Sequence, residues 1–189
     1  MKPTIALLFL ACAALQAEPV HLQLEPANAT VEYTVDSTLH TVHGTFSLKS
    51  GDVTYDPATG QASGLIVVDA TSGDSGNSAR DKRMHTAILE SVSFPDVKFV
   101  PDRVTVHEGS APGDSALELH GQFWLHGAPH EMVMKATTHP HEGRVKITSD
   151  FQVPYVDWGL KSASKFILRV ADTVDIHVEA DAKSVHDGA

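Results

Sequence analysis

Histidine is the residue that most invites a chemical reading of this chain. Twelve occur among 189 residues, and several fall in pairs: His40 with His43, His126 with His130, His139 with His141. A zinc site needs three or four ligands that converge on one point. Positions i and i+3 of an extended strand face opposite sides, which separates His40 from His43. His126 and His130 are better placed, because Gly127 and Pro129 between them read as a turn that brings the two rings together. That pair is the metal alternative. Histidines on surface strands and loops explain the same residues without a metal.

A second chemical pattern is Gly73-Asp74-Ser75-Gly76, which copies the nucleophile segment of trypsin-like serine proteases. Such an enzyme also needs a histidine to take the serine proton and an aspartate to orient it. The histidine context of those enzymes does not precede this segment, and a polar loop leading into a helix accounts for it. No catalytic residue is assigned, and the chain is read as a non-enzyme. The densest polar cluster is Arg80, Asp81, Arg83 and His85. It reads as a gate or head-group contact, or as a helix anchor with Asp81 capping and the arginines bonding to loop carbonyls or carboxylates.

The elements around these residues follow from periodicity. From Val20 onward the period is two: Val31, Tyr33 and Val35 alternate with Glu32, Thr34 and Asp36, and His40, Val42, Gly44, Phe46 and Leu48 share a face. Asp56-Pro57-Ala58-Thr59-Gly60 is a turn. Gly64–Asp69 is apolar on both faces and is expected to run under a helix. That helix is the single departure from period two. Ser78 and Asp81 have capping-box spacing, Met84 and Ile88 recur at i, i+4, Leu89 widens the stripe, and Pro95 forbids continuation. Strands then resume through Leu117–Leu125, Met132–Ala136, Val145–Val153, Phe166–Val170 and Val174–Ala180. Tyr155 and the Trp158–Lys161 turn are expected to close one end. Short strands with one apolar face predict an all-β, antiparallel barrel of about eight strands with a short capping helix near 78–90.

Composition excludes several classes. The formal net charge of −10 argues against nucleic acid and against anionic membrane surfaces. Residues 1–17 read as a signal peptide: Lys2, an apolar run from Ile5 to Leu15, and the small-residue site Leu15-Gln16-Ala17. The run is too short to span a bilayer, so stable membrane insertion is not expected. Cys12 forms only a poor lipoprotein box, and it leaves no cysteine for a disulfide in the remaining domain. The expected organisation is a leader over 1–17, one barrel domain over 18–182, and a disordered tail over 183–189.

Three stretches carry a resemblance. The first is Arg80-Asp81-Lys82 with Met84, Ser91, Phe94, Pro95 and Phe99; the second is Gly121–Glu131; the third is Val42-His43-Gly44-Thr45-Phe46. In this order they are similar to the signatures of the YceI-like, polyisoprenoid-binding family. Arg83 stands where that family usually has His, and Pro129-His130 where it has Thr-Lys. The resemblance implies an extended lipocalin-like barrel that holds a long apolar chain, with no required cofactor. The leader implies a periplasmic or secreted location, and the resemblance makes a homodimer plausible. The implied tunnel wall is Phe46, Met84, Ile88, Phe99, Phe123, Met132, Met134, Phe151 and Phe166. The expected ligand is a polyisoprenoid, isoprenoid quinone or fatty-acyl lipid. A structural or interaction barrel with a filled interior is the competing reading.

Overall fold

The alternation becomes a ring of antiparallel strands. The computed structural model describes residues 18–109, 113–164 and 168–185. Within them run β1 (Val20–Leu24), β2 (Ala29–Val35), β3 (Val42–Tyr55), β4 (Ala62–Asp74), β5 (Asp96–Glu108), β6 (Ser115–Leu125), β7 (Ala128–His141), β8 (Arg144–Val153) and β9 (Val174–Val185). One helix, α1 (Ser78–Arg83), follows β4. The order β3-β2-β9-β8-β7-β6-β5-β4 returns from β4 to β3, so eight strands close on themselves. Closure removes the free sheet edges that would otherwise template pairing with another chain.

The ninth strand shares a place in the ring. β1 pairs with the second half of β3 (Leu24 opposite Gly51) and with the end of β9, while β2 pairs with the first half of β3 (Val31 opposite Phe46) and with the start of β9. Both run antiparallel to β3, so they are one strand position broken by a 3₁₀ turn at Pro26–Asn28. Pro26 has no N–H to give a ladder, which is why the break falls there. This pairing also corrects the expected tail. Lys183, Ser184 and Val185 lie in β9 opposite Gln23, Leu22 and His21.

Turn chemistry fixes the hairpins. Asp56 accepts from the Ala58 amide and the Thr59 hydroxyl, both at 2.8 Å, and Gly60 takes φ 74°. Two-residue turns join β6 to β7 at His126-Gly127 and β7 to β8 at Glu142-Gly143, with positive φ at all four positions. Those are the type I′ turns that match strand twist. The turn expected around Gly127 and Pro129 is therefore His126-Gly127, and Pro129 already belongs to β7.

The expected strand at Phe166–Val170 does not form in its described part. Leu168 and Val170 make isolated bridges only, Val170 to Ser37, and the Ser164 hydroxyl bonds both the Val170 amide and its carbonyl. Phe166 lies outside the described residues, as does the expected leader.

The interior is apolar but hollow. One buried cluster gathers Phe99, Phe123, Leu125, Met134, Val153 and Leu160, and a smaller one Leu24, Leu48, Ala180 and Ala182. Among the described residues no large side chain falls below 2% exposure. Interiors of folded proteins are ordinarily close-packed, so this residual exposure reports space inside the ring.

Candidate functional site

That space is a cavity of about 580 Å³. Every strand contributes to its wall through the inward residues of its period-two pattern, such as Val31 and Tyr33 of β2, Leu117 and Leu119 of β6, and Ile176 and Val178 of β9. Of the expected wall, Phe46, Met84, Ile88, Phe99, Phe123, Met134 and Phe151 line the cavity. Met132 does not. It stands opposite Gly121, over which the Phe99 ring lies, and it packs into the cluster around Phe99 and Phe123. Apart from Ile88, sequence reasoning singled out aromatic and methionine residues and passed over the other aliphatics, although the same alternation marked them.

The helix closes over one end. Its N-cap is Asn77 rather than Ser78: the Asn77 side chain accepts from the Arg80 amide at 3.0 Å. Asp81 turns instead to Ser75, accepting from its amide at 3.0 Å and its hydroxyl at 2.5 Å. After Arg83 the coil widens into a π turn over Met84–Ile88, with the Leu89 amide donating to the Met84 carbonyl at 2.9 Å. The i→i+5 spacing brings Met84 and Leu89 close to one face, so Met84, Ile88 and Leu89 all reach the cavity. The helix rests on the far end of β4, where a Cβ at Gly73 would meet the Met84 methyl at 2.6 Å. The expected Gly64–Asp69 run instead pairs with β3 and β5, with Ile66 and Val68 facing the interior.

Side chains then bolt this end to the ring. His85 donates through Nε2 to the Gly73 carbonyl at 2.9 Å, so Nδ1 is free to accept from the Ser91 hydroxyl at 3.0 Å. Glu90 sits at φ 46° and accepts from Lys161 at 3.1 Å and from His126 at 2.9 Å. Its carboxyl is held below the usual range, first by Lys161 and then by His126. Phe94 lies against the His126 ring at 4.0 Å. The expected turn forms over Tyr155–Gly159, and Tyr155 and Leu160 line the cavity. The Tyr155 hydroxyl donates to the Ala171 carbonyl at 3.0 Å, and burial raises its pKa.

The two other chemical patterns resolve differently. His126 bonds Glu90, whereas His130 stacks on Trp158 at 4.2 Å. Among the described residues no group of three or more His, Cys, Asp or Glu is placed to hold a metal. The Ser75 hydroxyl is shared between Asp81 and the Arg80 Nε, at 2.5 and 2.7 Å, with no histidine among those partners.

Charge enters the lining at the helix end. Arg80 and Arg83 line the cavity there, with His40 and Ser37 beside them, and among the described residues no Asp or Glu lines it. Lys98 also borders the cavity, but its ammonium lies 3.9 Å from Asp96 on a side chain 43% exposed. Arg80 is tied through Ser75 to Asp81 and sits 3.4 Å from His40. Among the described residues Arg83 reaches only the Ala163 carbonyl, at 3.3 Å.

An eight-strand closed barrel with a hollow apolar core and a helix over one end defines a lipocalin-like class of architecture. The model of the YceI-like domain matches residues 22–182, and the chain belongs to that family. It is 29% identical over 145 residues to a UPF0312 protein of Pseudomonas putida, across 72% of this chain and 73% of that one. A UPF0312 protein of Vibrio cholerae is 28% identical over 144 residues, across 72% and 74%. Among solved structures, BcnA of Burkholderia cenocepacia superposes with a TM-score of 0.69 at 16% identity, covering 85% of this chain and 99% of that one. A polyisoprenoid binding domain from Saccharophagus degradans gives 0.62 at 15% identity, covering 89% and 100%.

Proposed function

We propose that this chain is an extracytoplasmic binding protein that holds a long hydrophobic molecule inside its barrel, as carrier or store, with no chemistry of its own. The hollow apolar cavity carries the reading: a close-packed barrel would have no room, and a catalytic one would aim convergent polar groups inward. An engineered cavity of about 150 Å³ admits a benzene, so the present cavity has room for on the order of twenty carbon atoms. Burial at about 0.8 kcal/mol per CH₂ binds such a chain without any reacting group. The apolar leader-like segment at the start of the sequence supports export, and the likeness to the Saccharophagus polyisoprenoid binding domain supports an isoprenoid chain. Among the described residues no helix is long and apolar enough to cross a membrane.

Native mass spectrometry of protein taken from its own cell envelope, before and after organic extraction, tests this directly. A discrete extractable mass of several hundred daltons is expected. A bare protein that also fails to take up an added long-chain isoprenoid would overturn it.

A further inference from the structure

The charged part of the cavity wall is one-sided in both position and sign. Both arginines of the wall sit at the helix end, and among the described residues no carboxylate lines the cavity to balance them. Arg80 is already compensated, since its Nε donates at 2.7 Å to the Ser75 hydroxyl that in turn donates to Asp81. Arg83 is not. Its Nε is buried without a hydrogen-bond partner among the described residues, and its one bond is the 3.3 Å contact to Ala163. A guanidinium presents five donors in a fixed fork matched to carboxylate and phosphate oxygens. Leaving it underbonded against an apolar cavity is costly unless something arrives to satisfy it. The wall residues that follow it inward, Met84, Ile88 and Leu89, are apolar.

From this we infer that the cavity takes a single-chain lipid with an anionic head, the head bound by Arg83 at the helix end and the chain running into the barrel. The inference rests on the carrier reading and sharpens it to a ligand class. The shared chemistry is a terminal group with negatively charged oxygens, supplied either by a fatty acid or by an isoprenyl phosphate. Arg80, with His40 beside it, holds the rim of the same end and keeps Arg83 from being the sole positive charge there.

The test compares three probes of twenty carbons each by calorimetric titration of the extracted protein: geranylgeranyl phosphate, arachidic acid and geranylgeraniol. At least one anion should bind roughly tenfold or more tighter than the neutral alcohol, since hydrogen bonds to charged groups are worth that much. Whichever anion leads names the source of the head. Arg83→Gln should erase the preference while holding the alcohol within about twofold, and Arg83→Lys should keep part of it. Equal binding of all three probes by the unaltered protein overturns the head-group inference and leaves the carrier reading standing. A preference that survives Arg83→Gln overturns the assignment to Arg83. Equal loss of all three in a variant that melts like the parent makes the arginine structural and overturns it too. No uptake of any probe by the unaltered protein overturns both readings at once.

Discussion

The two halves of the barrel are held together by different kinds of bond. Around β1 the structure is ladder: β1 lies between β3 and β9, and the strands run on in register to Val185. Ala182 is completely buried there, and ion pairs lace the outside, Lys183 to Glu25 at 2.6 Å and Arg144 to Asp181 at 2.9 Å. At the helix end the ladders stop. Side chains take over, with His85 on the Gly73 carbonyl, Arg83 on Ala163, Ser164 on Val170, and Glu90 bridging Lys161 and His126. Two non-glycine residues at that end, Glu90 and His126, hold left-handed φ and meet each other across their hydrogen bond. Opening a ladder costs many coupled bonds, whereas a side-chain clasp releases one at a time. Local stability therefore differs between the halves.

The largest expected effect is in the ladder half. Leu24→Ala removes a side chain that packs with Leu48, Ala180 and Ala182 and covers Gly51. It should cost about 2–5 kcal/mol, read from urea denaturation. A loss below about 1 kcal/mol would erase the distinction between the halves. Next comes Asn77→Ala, which strips the cap from α1 and should cost about 1 kcal/mol. Hydrogen exchange should accelerate over residues 78–89 and stay unchanged over β1 and β9; uniform acceleration would mean the ends are not independent.

The smallest effect is a pH response. The folded pKa of Glu90 lies below its ordinary 4.5, so the folded state binds fewer protons than the unfolded chain near that pH. The stabilisation is complete above the unfolded pKa and is lost as pH falls through the folded one. Limited proteolysis near residues 84–95 should therefore rise as pH drops below about 4.5, and Glu90→Gln should flatten that rise. Glu25, lowered chiefly by Lys183, titrates in the other half and should affect global unfolding instead. An unchanged acid response in Glu90→Gln would remove the clasp from the account.

The ring was legible because alternation is a local property: Val31, Tyr33, Val42 and Leu48 declare their face without knowing their partners. Met84 and Ile88 were legible for the same reason. The failures are at positions where partners decide. Phe166, Leu168 and Val170 alternate like a strand, yet in the described part Val170 finds only Ser37. Lys183 looks like a solvated tail until β1 and Glu25 are beside it. Asn77 and Ser78 are both good caps, and one residue of backbone, extended at Asn77, chooses between them. The π turn has no side-chain signature distinct from an α-helix. Arg83 is legible as polar and near the mouth, but that its Nε finds no partner among the described residues is a three-dimensional fact.

The break at Pro26 also bears on how the chain reaches this state. The ring is sealed by the last strand: β9 supplies the partners of both β1 and β2, Ala29 opposite Ala180 and Gln23 opposite Lys183. Chain order thus makes closure wait for β9, because nothing before residue 174 can complete the seam. Contacts of such long sequence separation form slowly, and until they do the first strands present an open edge. A proline in the middle of that edge denies a neighbouring molecule a continuous row of donors. The interruption that looks like a flaw in the finished barrel is thus a guard on the unfinished one.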